Sequence, residues 1–235
     1  RLNLIIPFAE GYIFCADLFN GCTNLVTAPK ELPATTVRSW AYANMFGNCT
    51  SLTHTPKIKA ITVDQGGVEA MFMGSGIVTA YDLEFTTMNG VDACKQMFKN
   101  CTNLVTAPAL PCTTLQPNCY SNMFTGCTSL VNAPELPATT LANSCYIGMF
   151  EYCTSLQKAP ELLAPTYVTQ AYGWMFNGCS SLNYIKYLLS TGDPGNSWVQ
   201  NVSNSGVFIK QEGVTWTTGT GGIPSGWTVQ DYNDV

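Results

Sequence analysis

Charge is what this sequence has least of. Only 11% of its 235 residues are Asp, Glu, Lys or Arg, against roughly 25% in ordinary soluble domains. Ten basic residues against fifteen acidic ones leave a net charge of -5. No cluster of Lys and Arg is present to neutralise phosphates or anionic headgroups, which argues against binding nucleic acid or a membrane surface. Nor is there a run approaching the roughly eighteen apolar residues of a transmembrane helix, so no direct membrane insertion of this segment is expected. Arg1 to Pro7 does not read as a signal peptide, and the chain is read as mature or trimmed. His54 is the only histidine. No Ser-His-Asp, Cys-His or His-Glu-x-x-His arrangement and no phosphate-binding glycine loop is supported. Asp82 and Glu84 resemble an acid and base pair only in spacing, since they lie in one repeat with no matching cleft. The expectation is a protein without catalytic residues, cofactor or metal.

What the sequence has is repetition. The phrase Leu18-Phe19 to Leu25 returns as Met45-Phe46 to Leu52, Met71-Phe72 to Val78, Met97-Phe98 to Leu104, Met123-Phe124 to Leu130, Met149-Phe150 to Leu156 and Met175-Phe176 to Leu182. It recurs once after 27 residues and then five times after 26. Units that cannot bury an apolar face alone do so by stacking, so this spacing predicts a solenoid. It covers residues 1–187, about seven repeats plus a partial N-terminal one heralded by Pro7, 26 residues before Pro33. Residues 188–235 lack the phrase and hold Trp198, Trp216 and Trp227. A solenoid must close its apolar end, so this tail reads as a small β-rich cap sealed by tryptophan. A sugar-stacking role for one of the three is the alternative.

Within a repeat, Cys145 and Met149, like Tyr146 and Phe150, stand four apart, the spacing of one helical face. Pro117 suits a first helical turn. The residue before the recurrent cysteine is Gly or Asn in six of seven copies, at Gly21, Asn48, Gly74, Asn100, Gly126 and Gly178, with Tyr152 the exception. Such residues tolerate the left-handed conformation that closes a helix. One short helix per repeat is therefore expected, followed by a short extended element with Leu130, Ala133 and Leu136 inward. Pro29, Pro56, Pro108, Pro134 and Pro160 share one position and each removes a ladder donor, so the strands should be short and irregular.

Eleven cysteines are present. Cys22, Cys49, Cys101, Cys127, Cys153 and Cys179 hold one register, Cys119 and Cys145 a second, Cys15 and Cys94 a third. Their main reading is that of small buried hydrophobes. Occasional disulfides between stacked neighbours and a zinc site are the alternatives, the latter poorly served by a ladder that spreads ligands along a line.

The sequence of Ala-Pro-x-Leu-Pro, Thr-Thr-Leu and x-Met-Phe-x-Gly-Cys-Thr-Ser-Leu resembles the BspA-like leucine-rich repeats of bacterial surface proteins, in the variety with Met-Phe where others carry Ala-Phe. Gly206-Val-Phe208 and Gly222-Ile223-Pro224-Ser-Gly226-Trp227 resemble the module that often follows them. The third copy departs, with Ser75-Gly76 for Cys-Thr, Asp82 in a proline slot and Glu84 in a leucine slot. The resemblance implies an α/β solenoid, a leucine-rich-repeat-like right-handed superhelix with one short irregular strand and one short helix per repeat of about 26 residues. It further implies a cell-surface or secreted protein of a host-associated bacterium, frequently a lipoprotein, in which adhesion to host or bacterial surface proteins is proposed. No catalytic residue is carried over.

The variable outward positions of the extended element are the candidate partner-binding residues. One column reads Lys30, Lys57, Leu83, Ala109, Glu135, Glu161, Tyr187, and another ends in Lys158 and Tyr184. Asp64, Glu69, Asp82, Glu84 and Asp92 crowd the third repeat. A glycan-binding component of a nutrient-capture system is the competing reading, with Tyr184, Tyr187 and Trp198 as its aromatic platform. A passive surface spacer is a third.

Overall fold

The computed structural model describes residues 15–189 and 194–232. They form a parallel β-solenoid of about nine turns. Its strands are β1 (Glu31–Leu32), β2 (Thr36–Val37), β3 (Lys57–Ile58), β4 (Thr62–Val63), β5 (Thr87–Met88), β6 (Tyr184–Tyr187), β7 (Val207–Gln211) and β8 (Thr228–Tyr232). Every pairing between them is parallel: β1 with β3, β2 with β4 and β5, and β6 with β7 and β8. Isolated parallel bridges carry the stacking where no strand forms, as in Thr106–Asn132–Lys158–Tyr184. The recurrent prolines accompany only part of the brevity of the strands. β1 and β3, which follow Pro29 and Pro56, have two residues each, and the proline-free β7 and β8 reach five, but β4 and β5 are equally short in a stretch without proline.

No helix occurs among the described residues, so the expected helix per repeat, and with it the leucine-rich-repeat-like architecture, is corrected. The segment instead runs as a chain of turns. Between Arg38 and Asn48, the N–H groups of Ala41, Ala43, Met45 and Gly47 each donate to the carbonyl three residues back. The alternate donors Trp40, Tyr42, Asn44, Phe46 and Asn48 reach the next coil, at Gln65, Gly67, Glu69, Met71 and Met73, over 2.7–3.0 Å. An α-helix spends every donor on its own carbonyls and has none left for a neighbour. Trp40, Asn44 and Asn48 have φ of 61°, 51° and 55°, so every fourth residue is left-handed, as the third position of a type II turn requires. The repeat of this ribbon is four residues. That places Cys145 with Met149 and Tyr146 with Phe150 on one face, which is the pattern a helix would also give.

The left-handed conformation before the recurrent cysteine is present at Gly21, Asn48, Gly74, Asn100, Gly126, Tyr152 and Gly178. These positions alternate down the stack between glycine and a larger residue. A Cβ on Gly74, Gly126 or Gly178 would stand 2.4–2.6 Å from Asn48 Oδ1, Asn100 Oδ1 or the Tyr152 ring. Each large side chain thus occupies the space the next glycine leaves empty.

The core is a set of ladders. Phe19, Phe46, Phe72, Phe98, Phe124, Phe150 and Phe176 stack with ring centroids 5.3–5.8 Å apart and planes within 14°. Tyr120, Tyr146 and Tyr172 form a second stack at 5.9 Å. All eleven cysteines are free thiols, and all but Cys22 are buried. The thiols of Cys49, Cys101, Cys127, Cys153 and Cys179 each donate to the carbonyl of the phenylalanine one coil earlier, at 3.0–3.1 Å. This is what cysteine adds over another small apolar residue: it packs and also gives a second hydrogen bond to a carbonyl that already accepts a backbone N–H of its own coil. Ser75, in the same column, turns instead to its own Phe72 carbonyl. Burial pushes the Cys101 thiol up to about 12 and that of Cys145 up to about 11, so both are protonated at neutral pH.

At the C-terminal end β6, β7 and β8 extend the stack. Trp198 and Trp227 are buried, and Trp216 packs against the same core beside Tyr187 and Phe208. Trp198 Nε1 donates to the Gly222 carbonyl and Trp227 Nε1 to that of Ser203. The tryptophans seal the last coils, and burial of Trp198 takes it out of any sugar platform.

Candidate interaction face

The extended segments of successive coils present one continuous face, and along it run three adjoining shallow hollows. The first, of about 350 Å³, is lined by Asp82, Ala109, Leu110, Pro111, Glu135 and Pro137 among others. The second, of about 420 Å³, shares Pro134, Glu135 and Pro137 with it and continues through Lys158, Pro160, Glu161 and Leu163. The third, of about 350 Å³, takes up Glu161 and Leu163 again and reaches Pro165, Lys186 and Leu189. Prolines form much of the walls because Pro134 and Pro160 recur in the extended segments of these coils, beside Pro111, Pro137 and Pro165. Leu163, 55% exposed, is the large apolar side chain of this groove most open to solvent.

The candidate residues meet different fates on this face. Glu135 is exposed, with no ion-pair partner among the described residues, and lies where the first two hollows join. Glu161 joins the second to the third but pairs with Lys186 at 3.3 Å. Asp82, read from the uniform period as the occupant of a proline slot, accepts the Ala109 N–H at 2.9 Å, so its carboxylate also ties down the backbone of the next coil. Lys57 and Glu84 are spent on each other, 3.2 Å apart, and hydrogen bonding to Glu84 raises the Lys57 pKa. Lys30 is exposed but does not stack on Lys57, which faces Glu31 instead. Tyr184 is half-buried with the Lys158 ammonium 5.1 Å above its ring.

Tyr187 is corrected: it is wholly buried, not outward. A uniform period of 26 aligns it with Glu161, but the last copy is one residue shorter, and Leu162 pairs with Tyr187 across 25 positions. The side chain beside Glu161 is therefore Lys186, a groove residue that the sequence column missed. The one signal that could have found it is the alternation of Tyr184, Ile185, Lys186 and Tyr187, which sends Ile185 and Tyr187 to one side. The third copy slips in the same way. His54 bridges Thr79 after 25 residues and Thr79 bridges Thr106 after 27. Leu83 thereby becomes buried, while Glu84, read as the occupant of a leucine slot, lies at the surface against Lys57.

The acidic crowding of this copy is partly offset by ion pairs within and between coils. Asp64 faces Arg38 at 3.5 Å, and Lys95 lies 3.5 Å from Glu69 and 3.4 Å from Asp92. Among the described residues no three His, Cys, Asp or Glu side chains converge as a metal site, and no helix is long and apolar enough to cross a membrane. No protein-family model, curated protein or solved structure matches the chain.

Proposed function

We propose that this chain is a non-catalytic interaction module, displayed on the surface of a host-associated bacterium or secreted by it. It adheres to a host or bacterial protein by seating an extended segment in the strand-face groove. The observation that carries this reading is the continuity of the three hollows from Asp82 to Leu189. A repeat solenoid offers such a surface because each coil varies its outward residues on a constant frame. Proline walls and the exposed Leu163 supply apolar contact, and the first hollow places Asp82 and Glu135 with no basic lining residue. The partner segment is accordingly extended and carries Lys or Arg toward that end. Surface display follows from the resemblance to BspA-like repeats, in the Met-Phe and Cys-Thr-Ser-Leu phrases. That resemblance concerns the phrases and not the helix, which is absent among the described residues.

The test is capture of purified, reduced chain on an array of matrix and bacterial surface proteins at physiological salt. Saturable binding to at least one partner, abolished by Glu135→Lys combined with Leu163→Asp, is the expected result. Both side chains are exposed, so neither change disturbs the core. Binding indifferent to the double substitution would place the interaction elsewhere, and silence across the array would favour the spacer reading.

A further inference from the structure

The strand face is not the only surface with a built arrangement. On the turn face, two large aromatics stand open to solvent on adjacent coils: Tyr152 is 51% exposed and Trp174 37%. Both are left-handed, with φ of 58° and 52°, and the backbone register fixes their relation. Gly148 donates to the Gly173 carbonyl and Tyr152 to that of Asn177, each at 2.8 Å. Trp174 therefore stacks on Gly148, and Tyr152 on Gly178, so the two rings lie diagonally, one coil and one four-residue turn apart. A Cβ on Gly178 would stand 2.4 Å from Tyr152 Cδ1, so the ring rests against bare backbone with its remaining surface open.

Polar groups lie on the turn segments that carry the two rings. Glu151 is held by Asn177 Nδ2, which donates to Oε1 at 2.7 Å. Its other oxygen, Oε2, would be 3.6 Å from a Cβ on Gly148, which places it over the residue that Trp174 stacks upon. Asn177 is 8% exposed, and its Oδ1 has no hydrogen-bond partner among the described residues. Gln170, one turn before Trp174, likewise has a buried Oε1 without one. The exposed or half-buried residues of these turns are mostly amides and hydroxyls, Asn143, Ser144, Asn196, Gln200 and Asn201, with Ile147 the apolar exception beside Gly173. Val78, Val105, Val131 and Leu163, exposed apolar residues elsewhere, belong to other columns.

We propose that Tyr152, Trp174 and Glu151 form a saccharide-binding site on the turn face, separate from the strand-face groove. A pyranose ring has an apolar C–H face and an equatorial rim of hydroxyls. Exposed phenol and indole rings offer the first an amphipathic surface. A carboxylate fixed by an amide accepts charge-assisted hydrogen bonds from the second. A protein hot spot built on the same aromatics would be ringed by apolar contacts that exclude water, and this pair stands instead among mostly polar groups, with Ile147 the one half-buried apolar side chain beside it.

The experiment is affinity electrophoresis of the full chain through gels carrying hydroxyethyl cellulose, xylan, mannan or mucin. The columns themselves supply suitable substitutions. Asn48 and Asn100 stand where Tyr152 does, and Asn44 and Asn122 where Trp174 does, all left-handed, so Tyr152→Asn and Trp174→Asn keep a backbone the fold already accepts. Retardation in at least one gel is expected, weakened about tenfold or more by either substitution and reduced by Glu151→Gln. It should persist in the Glu135→Lys, Leu163→Asp protein, which separates this site from the strand-face reading. No retardation in any gel, or retardation that both aromatic variants preserve, would overturn the proposal. So would a Trp174→Asn protein that loses capture of a protein partner while no polysaccharide retards the parent chain.

Discussion

Replacing Phe124 by Ala probes the central ladder at its middle. The ring is fully buried and lies between Phe98 and Phe150, each 5.7 Å away and within 9° of parallel. Truncating a buried phenylalanine costs about 3–5 kcal/mol. Two offset-stacked partners, each adding about 0.5–1.5 kcal/mol beyond burial, place this site toward the upper end of that range. Phe19 is the internal comparison. It is only half-buried and among the described residues stacks on one ring, Phe46 at 5.3 Å, so Phe19→Ala should cost about 1–2 kcal/mol. In an array whose coils contact only their neighbours, the damage stays local. Urea titration by circular dichroism should therefore show an early, partial transition for Phe124→Ala, and native-state hydrogen exchange should assign it to the coils around residue 124. Equal losses at the two positions, or a loss below about 2 kcal/mol at Phe124, would show that the ladder is not what holds the coils together.

Thiol titration offers a second check: Ellman's reagent should modify Cys22 promptly in the native chain and all eleven cysteines after unfolding without reductant. Because burial raises Cys101 to about 12 and Cys145 to about 11 from an ordinary 9.0, ionisation favours the unfolded chain only at alkaline pH. Stability is thus complete below pH 9 and lost as pH rises from there through those folded values; the urea midpoint followed against pH should show it, with a smaller fall for Cys101→Ala. Gly126→Ala meets both φ +74 and a contact 2.4 Å from Asn100 Oδ1, and should cost about 1–2 kcal/mol or more in thermal unfolding. Adding Asn100→Gly should return part of that loss by removing the clash. The Lys57–Glu84 pair has both side chains about 40% exposed, so a double-mutant cycle in urea should give a coupling of no more than about 1 kcal/mol.

The inward assignments were legible because ladders repeat. Phe, Leu and Cys columns could be read from the period alone, and all are interior except at the first described coil, where Phe19 and Leu25 are half-buried and Cys22 exposed, and in the third copy, where Ile77 is buried in place of Val78, which is exposed. The helix was misread for a physical reason: a ribbon of turns with one left-handed residue in four gives the same i, i+4 faces as a helix. The distinguishing sign was Gly or Asn recurring inside the segment as well as at its end, at Asn44, Gly66, Asn118, Asn122 and Gly148. Tyr187 was misplaced because one missing residue in a parallel stack exchanges inside for outside. The groove lay beyond a column-by-column reading, since it belongs to the spaces between coils. Tyr152 was visible as the one exception to Gly or Asn in its column, but only the stacking register brings Trp174 beside it.

The alternation of glycine with a larger residue from Gly21 to Gly178 bears on how such a chain can grow. If single coils were freely interchangeable, removing residues 101–126 would leave an acceptable array. That deletion would set Asn100 directly against Tyr152, two bulky side chains where the stack admits one. Removing residues 101–152 would instead bring Asn100 onto Gly178 and keep the alternation. The smallest piece that can be copied, lost or grafted without a clash in this column is therefore a pair of coils. Length variants that keep this column's alternation should accordingly differ by even numbers of coils.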